Sequence, residues 1–208
     1  MSMLTTLTED PVLTSVRRLL VQGYGLPACN GYARIATGLI NETMALDGAW
    51  ILQRVNPIFG PGVNADIAAL SDVLRAKGVG VPVLCRAVSG EYYVHGEDFG
   101  LTEGVWRLMT KLDGITRDRT ENLAQIRGLT RMMARFHDAL DGERHVFAHA
   151  RPGVHDFERH LAALERAVED GTHARHRLYG QVSKLYQEIA HLSRHVDYHS
   201  VMACESLR

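Results

Sequence analysis

"TGLINETMALDGAWILQRVN", residues 37–56, decides how this chain folds. Two short β-favouring runs, 40–46 and 49–55, flank Asp47-Gly48, a pair that favours the left-handed backbone of a tight two-residue hairpin. In "AWILQRV" the residues Trp50, Leu52 and Arg54 alternate with Ile51, Gln53 and Val55. Successive strand residues point to opposite faces, so Arg54 shares a face with Leu52. A third run over 31–36 precedes them. The link between the first two runs holds one glycine, Gly38, with polar Asn41 and Thr43 beyond it. It reads either as a plain hairpin connection or as a lip that closes over a phosphate.

Outward from this core the period of the apolar residues changes. Upstream, "TEDPVLTSVRRLLVQGYG" places Val12, Val16, Leu19 and Leu20 at helical spacing. Asp10 suits the cap, Pro11 the first turn, and Gly23 or Gly25 the end. Downstream, "NADIAALSDVLRAKGVG" is a helix ending at Gly78. "PVLCRAV", "EYYVHG" and "GVWRLMTKLDG" are further strand candidates, the last running into Asp113-Gly114. From there the chain is helical. "TENLAQIRGLTRMMARFHDALDG" aligns Leu123, Ile126, Leu129, Met133, Phe136 and Leu140, and two more amphipathic helices follow. This order gives an α+β plan: a small antiparallel sheet lobe with one inserted helix over 1–111, then a helical lobe over 112–208.

The bulk properties exclude several classes. A formal net charge of −1 gives no electrostatic footprint for nucleic acid or an anionic membrane, and Arg17-Arg18 is the only adjacent basic pair. Cys29, Cys85 and Cys204 form no C-x-x-C pair, so neither a disulfide framework nor a zinc knuckle is indicated. No apolar stretch approaches the roughly 20 residues that span a bilayer, and the expected location is cytoplasmic. No C-x-P-x-R sequence or Walker fingerprint occurs. "EDFG" at 97–100 precedes the last strand candidate and reads as a turn. His191, His195 and His199 share a helix face with Asp197 nearby, a spacing open to a metal site but read here as a histidine-rich helix end.

Taken in order, "TGLINETMAL…WILQRVN", "VWRLMTKLDG", "GLTRMMARFHDAL" and "RPGVHDFERHL" resemble the aminoglycoside-phosphotransferase-like kinases, and among them the N-acetylhexosamine 1-kinase branch. The resemblance covers residues 30–170 or thereabouts. It implies a protein-kinase-like fold in which the γ-phosphate of ATP, with Mg2+, passes to a hydroxyl of an N-acetylhexosamine. Aminoglycoside, choline or homoserine acceptors, or a non-catalytic nucleotide-binding pseudokinase fragment, are the alternatives. The resemblance makes Gly38, Asn41 and Thr43 the nucleotide loop, and Arg54 the phosphate-pairing cation, where a surface arginine is the other reading. Asp66 and Asp72 are the available acidic partners for that cation, or solvated helix residues. Leu108, Met109, Thr110 and Lys111 become the hinge that reads adenine through backbone groups. His155 and Asp156 are candidate sugar-binding residues, the alternative being a helix cap and a packed histidine.

The resemblance also implies a catalytic loop, His-Gly-Asp or His-Asn-Asp with Asn some five residues later, after "LYQEIAHLSRHV". His195-Val196-Asp197 imitates its start, but Met202 stands at the later position and the chain ends "DYHSVMACESLR". A chain truncated there would leave an incomplete helical lobe, no catalytic residue, no metal ligand and no sugar kinase turnover on its own. Its uncovered helices would promote self-association.

Overall fold

The structure, a computed structural model, describes residues 10–193 except 37, 39, 118, 155 and 172. Helix α1 (Pro11–Arg18) begins as its letters require: Asp10 accepts the Val12 N–H at 2.9 Å and Pro11 occupies the first position. It runs into a π-helical turn, Leu19–Gly23. Strands β1 (Tyr32–Ile35), β2 (Glu42–Leu46) and β3 (Trp50–Arg54) form the antiparallel meander. Then come α2 (Val63–Ala76), a two-residue β4 (Val94–His95), a 3-10 turn (Gly96–Phe99) and β5 (Val105–Thr110). All five strands make one sheet in the order β1-β2-β3-β5-β4.

The β2–β3 connection is a residue longer than Asp47-Gly48 alone suggests, because Leu46 pairs with Trp50. Asp47 and Gly48 take the positive φ values of 44° and 75° that the pair favours. Asp47 tolerates this conformation while its carboxylate accepts the N–H groups of Asn30 (2.7 Å) and Gly31 (3.0 Å), which fixes the entry to β1. "PVLCRAV" makes a single bridge, Leu84 to Met109, rather than a strand. Pro82 has no N–H, and the short stretch beyond it runs along β5 through Cys85 N to Leu108 O, Thr110 N to Val83 O and Val83 N to Thr110 Oγ1.

The register sorts the sheet into two faces. Met44, Leu46, Leu52, Trp106 and Leu108 lie on one, packed against Val16, Leu19 and Leu20 of α1 and the π turn. Burying this face is what holds the sheet, at roughly 25 cal/mol per Å² of apolar area. On the other face Ile51, Gln53, Arg107 and Met109 are only half-buried and Ile35 is exposed. α1 covers one face and leaves the other open.

Helix α3 (Leu123–Leu140) meets α2 through Leu74, Val79 and Ala139, and Lys77 Nζ reaches Ala139 O at 2.6 Å and Glu143 at 2.8 Å. The expected stripe through Leu123, Ile126, Leu129, Met133 and Phe136 is exposed. The chain divides into two compact units between His149 and Ala150. Within the first of these, α3 and the segment after it pack on α2. The second unit holds α4 (Phe157–Glu169) and α5 (Tyr179–Ser193), linked by Tyr186 to Glu165 at 2.6 Å. No helix among the described residues is long and apolar enough to cross a membrane.

Candidate functional site

The open sheet face is built in two rows. Ala33, Ala45, Ile51 and Met109 stand directly opposite one another across β1, β2, β3 and β5, an apolar row. Two residues along, Ile35, Thr43, Gln53 and Arg107 make the next row, which turns polar toward β5. The polar row lies at the end of the sheet where the Gly38 turn joins β1 to β2. The apolar row lies toward the end where β5 runs out at Thr110.

A continuous hydrogen-bond chain crosses the polar row. Thr43 Oγ1 donates to Asn41 O at 3.4 Å and accepts from Gln53 Nε2 at 3.0 Å. Gln53 Oε1 accepts from both Nε (2.9 Å) and Nη2 of Arg107. Arg107 Nη1 donates to Asn64 Oδ1 at 3.3 Å, and Asn64, fully buried in the first turn of α2, donates in turn to Pro61 O. Burial holds the Arg107 guanidinium below its ordinary pKa range, although an arginine there keeps its charge. The Gly38 turn is tied to the strand beyond it: Asn56 N donates to Asn41 Oδ1 at 2.8 Å, and Asn56 Nδ2 to Ile40 O at 3.0 Å. A Cβ at Gly38 would stand 3.4 Å from Asn41 O.

Gly38, Asn41 and Thr43 therefore come together with Gln53 and Arg107. Arg54 does not join them. It pairs across to Trp106 on the α1 face, as its kinship with Leu52 required, and its Nε donates to Glu103 O at 2.9 Å. Neither aspartate of α2 meets it. Asp72 is exposed and lies 3.6 Å from Arg75 on its own helix. Asp66 is 4% exposed and accepts three hydrogen bonds: His145 Nε2 at 2.9 Å, Ala148 N at 2.8 Å and His149 N at 3.0 Å. A carboxylate only accepts, so His145 carries its proton on Nε2. Burial pushes the Asp66 carboxyl up, but the Ala148, His145 and His149 hydrogen bonds outweigh it and hold the group below its usual range.

Leu108, Met109, Thr110 and Lys111, the expected hinge, run from the middle of β5 to just past its end, and most of their backbone groups are engaged. Leu108 O accepts from Cys85, Thr110 N donates to Val83 O, and Lys111 N donates to Ala49 O at 3.0 Å. The next N–H groups without a partner among the described residues are those of Leu112, Asp113 and Gly114. In the second unit Asp156 caps α4, accepting the Arg159 N–H at 2.9 Å, while His155 lies outside the described residues, as do His195, Asp197 and His199. Among the described residues no three or more His, Cys, Asp or Glu side chains converge to hold a metal.

Gln53, Asn64 and Arg107 did not stand out in the sequence. The signal available was a polar residue at alternate positions of two otherwise apolar strands, in "ILQRV" and "VWRLM".

Comparison with known proteins bears on the same region. The family described as APH, phosphotransferase enzyme family, matches residues 31–202. No curated protein matches. Among solved structures, the GDP and kanamycin complex of an aminoglycoside 2″-phosphotransferase superposes with a TM-score of 0.53 at 15% identity, over 82% of this chain and 57% of that one. The GDP complex of a point mutant of an aminoglycoside 2′-phosphotransferase-IIIa gives 0.53 at 16% identity, over 82% and 56%. At such identities the likeness is one of fold, and this chain spans little more than half the length of either.

Proposed function

The chain belongs to the phosphotransferase enzyme family, and from that premise we propose that its open sheet face binds ATP as phosphate donor for transfer to a hydroxyl acceptor. The observation that supports this is the pair of rows. An apolar shelf of Ala45, Ile51 and Met109 suits a purine, and the polar row beside it suits a phosphate chain. In this reading the Gly38 turn, with Asn41 and Thr43, lies over the phosphates. The base edge meets the backbone of Leu108, Met109, Thr110 and Lys111 and the N–H groups just past them. Mg2+ travels with the nucleotide; when bound it neutralises phosphate charge. The described residues offer no carboxylate cluster that fits it.

For the acceptor, the likeness of "VWRLMTKLDG" and "RPGVHDFERHL" to the N-acetylhexosamine 1-kinase branch favours an N-acetylated hexose, with Asp156 and His155 as its candidate binding residues. The aminoglycoside reading stands beside it, since kanamycin is bound in one of the structural neighbours.

Titration with Mg·ATP and Mg·GTP tests the donor site directly. Ile51→Glu sets a carboxylate on the shelf and is expected to weaken ATP binding at least about tenfold, while melting within a few degrees of wild type, because the residue is half-buried and charges facing a bound anion repel it. Unchanged affinity in Ile51→Glu would remove the base from this face. Comparing heats of binding for N-acetylgalactosamine and kanamycin in the presence of a non-hydrolysable ATP analogue separates the two acceptors.

A further inference from the structure

A kinase-like site commonly draws its phosphate-pairing cation from the third strand. Here the third strand has none on the open face. The residue two places beyond Ile51 is Gln53, and Arg54 lies on the covered face. Among the strand residues of the open face, Arg107 is the one arginine or lysine, and it comes from β5.

Its surroundings are those of a cation kept for an anion. Every partner of the guanidinium is neutral: the amide oxygen of Gln53 takes two N–H groups and the amide oxygen of Asn64 a third. No carboxylate among the described residues pairs with it. A guanidinium has five N–H donors, so one on each terminal nitrogen is left unengaged. A half-buried charge without a counter-charge is unfavourable until an anion arrives. Amide holders fix its plane without neutralising it. The two free donors lie on the terminal nitrogens, the fork that grips phosphate oxygens in pairs.

The geometry points to Arg107 as the phosphate-binding cation of this chain, with Gln53 as its positioning residue and Arg54 a strut for the 103–104 loop. The inference rests on the nucleotide reading above. Gln53 acts through Arg107: its oxygen holds the guanidinium while its nitrogen is held by Thr43, itself bonded to Asn41 at the end of the Gly38 turn. The turn and the cation are thus set relative to each other by one amide. Asn64 sets the third point. Two residues on in the same helix, Asp66 anchors the first turn of α2 to the 145–149 segment, so Asn64 does not drift.

The test is fluorescence titration of the whole chain with methylanthraniloyl-ATP and Mg2+, and with methylanthraniloyl-adenosine, which lacks phosphates. Arg107→Met keeps the aliphatic stem and removes the charge. It is expected to weaken the ATP probe about 10- to 100-fold, the worth of one charge-assisted phosphate contact, and to leave the adenosine probe unchanged. Arg107→Lys restores part of the loss, since the charge returns without the fork. Gln53→Ala weakens the ATP probe about three- to tenfold by releasing the guanidinium plane, again without affecting adenosine. Arg54→Ala stays within about twofold of wild type. Should Arg107→Met fail to fold by circular dichroism, the Lys and Gln53 variants carry the same contrast. Loss of the ATP probe in Arg54→Ala, with Arg107→Met or Arg107→Lys like wild type, overturns the assignment while the nucleotide reading stands. Failure of the wild-type chain to bind either probe overturns both.

Discussion

Gly96→Ala is expected to destabilise the first unit by about 3 kcal/mol or more, the sum of overpacking a close-packed site and losing a buried hydrogen bond. A Cβ at Gly96 would fall well inside 3.0 Å of both Trp106 Nε1 and Thr102 O. Those two atoms are hydrogen-bonded to each other at 2.8 Å, so the methyl would wedge into the bond that satisfies the indole. Trp106 is 1% exposed and packs against the α1 layer. Nor does the backbone have room to retreat. Gly96 N donates to Gly104 O at 2.9 Å, and Gly96 O accepts from Leu101 N at 2.9 Å. Gly80→Ala is the control, because a Cβ there meets nothing within 4 Å. Urea denaturation followed by tryptophan fluorescence measures both. A midpoint for Gly96→Ala equal to that of Gly80→Ala would contradict the packing described for β4, β5 and the turn between them.

Asp66→Ala is expected to remove about 3 kcal/mol at neutral pH, since it orphans two backbone N–H groups and a histidine at a buried site. The carboxylate accepts from Ala148, His149 and His145, and among the described residues no other acceptor is bonded to those three donors. The pH dependence has a definite sign. Because the folded pKa lies below the unfolded one, the stabilisation is fully present above the ordinary carboxyl value of about 3.9 and is lost as pH falls through the lower folded value. The part of the stability gap between wild type and Asp66→Ala that the carboxylate supplies is therefore lost as pH falls below about 4. A gap below about 1 kcal/mol at pH 7, or one undiminished at about pH 2, would show that the 145–149 segment is held by something else.

The sheet was legible because each of its signals is local. Alternation in "AWILQRV", the Asp47-Gly48 pair and the Asp10-Pro11 start all act within a few residues, and β1, β2, β3, α1 and α2 fall where those signals put them. Pairing Arg54 with Leu52 on one face was legible for the same reason. Which face stays open was not. That depends on where α1 lies, and a helix that precedes the sheet in sequence can cover either side. Period-2 alternation is symmetric between faces, so which face Arg54 takes relative to the covering layer could not be read from the letters. The Asp66 latch was beyond reach for a different reason: its partners lie 79 to 83 residues away and two of them are backbone N–H groups, which leave no mark in the letters. "PVLCRAV" shows the limit of propensity. Its β-branched residues suit a strand, but it makes one bridge rather than a ladder.

The position of the nucleotide is most directly tested by carbon-13 methyl spectra of methionine-labelled protein during titration with Mg·ATP. Met109 stands in the apolar row of the open face, and Met44 is buried on the α1 face of the same sheet. The Met109 methyl resonance is expected to move saturably with nucleotide while that of Met44 stays in place. A Met109 signal unmoved at saturating nucleotide, or a shift at Met44 alone, would contradict it.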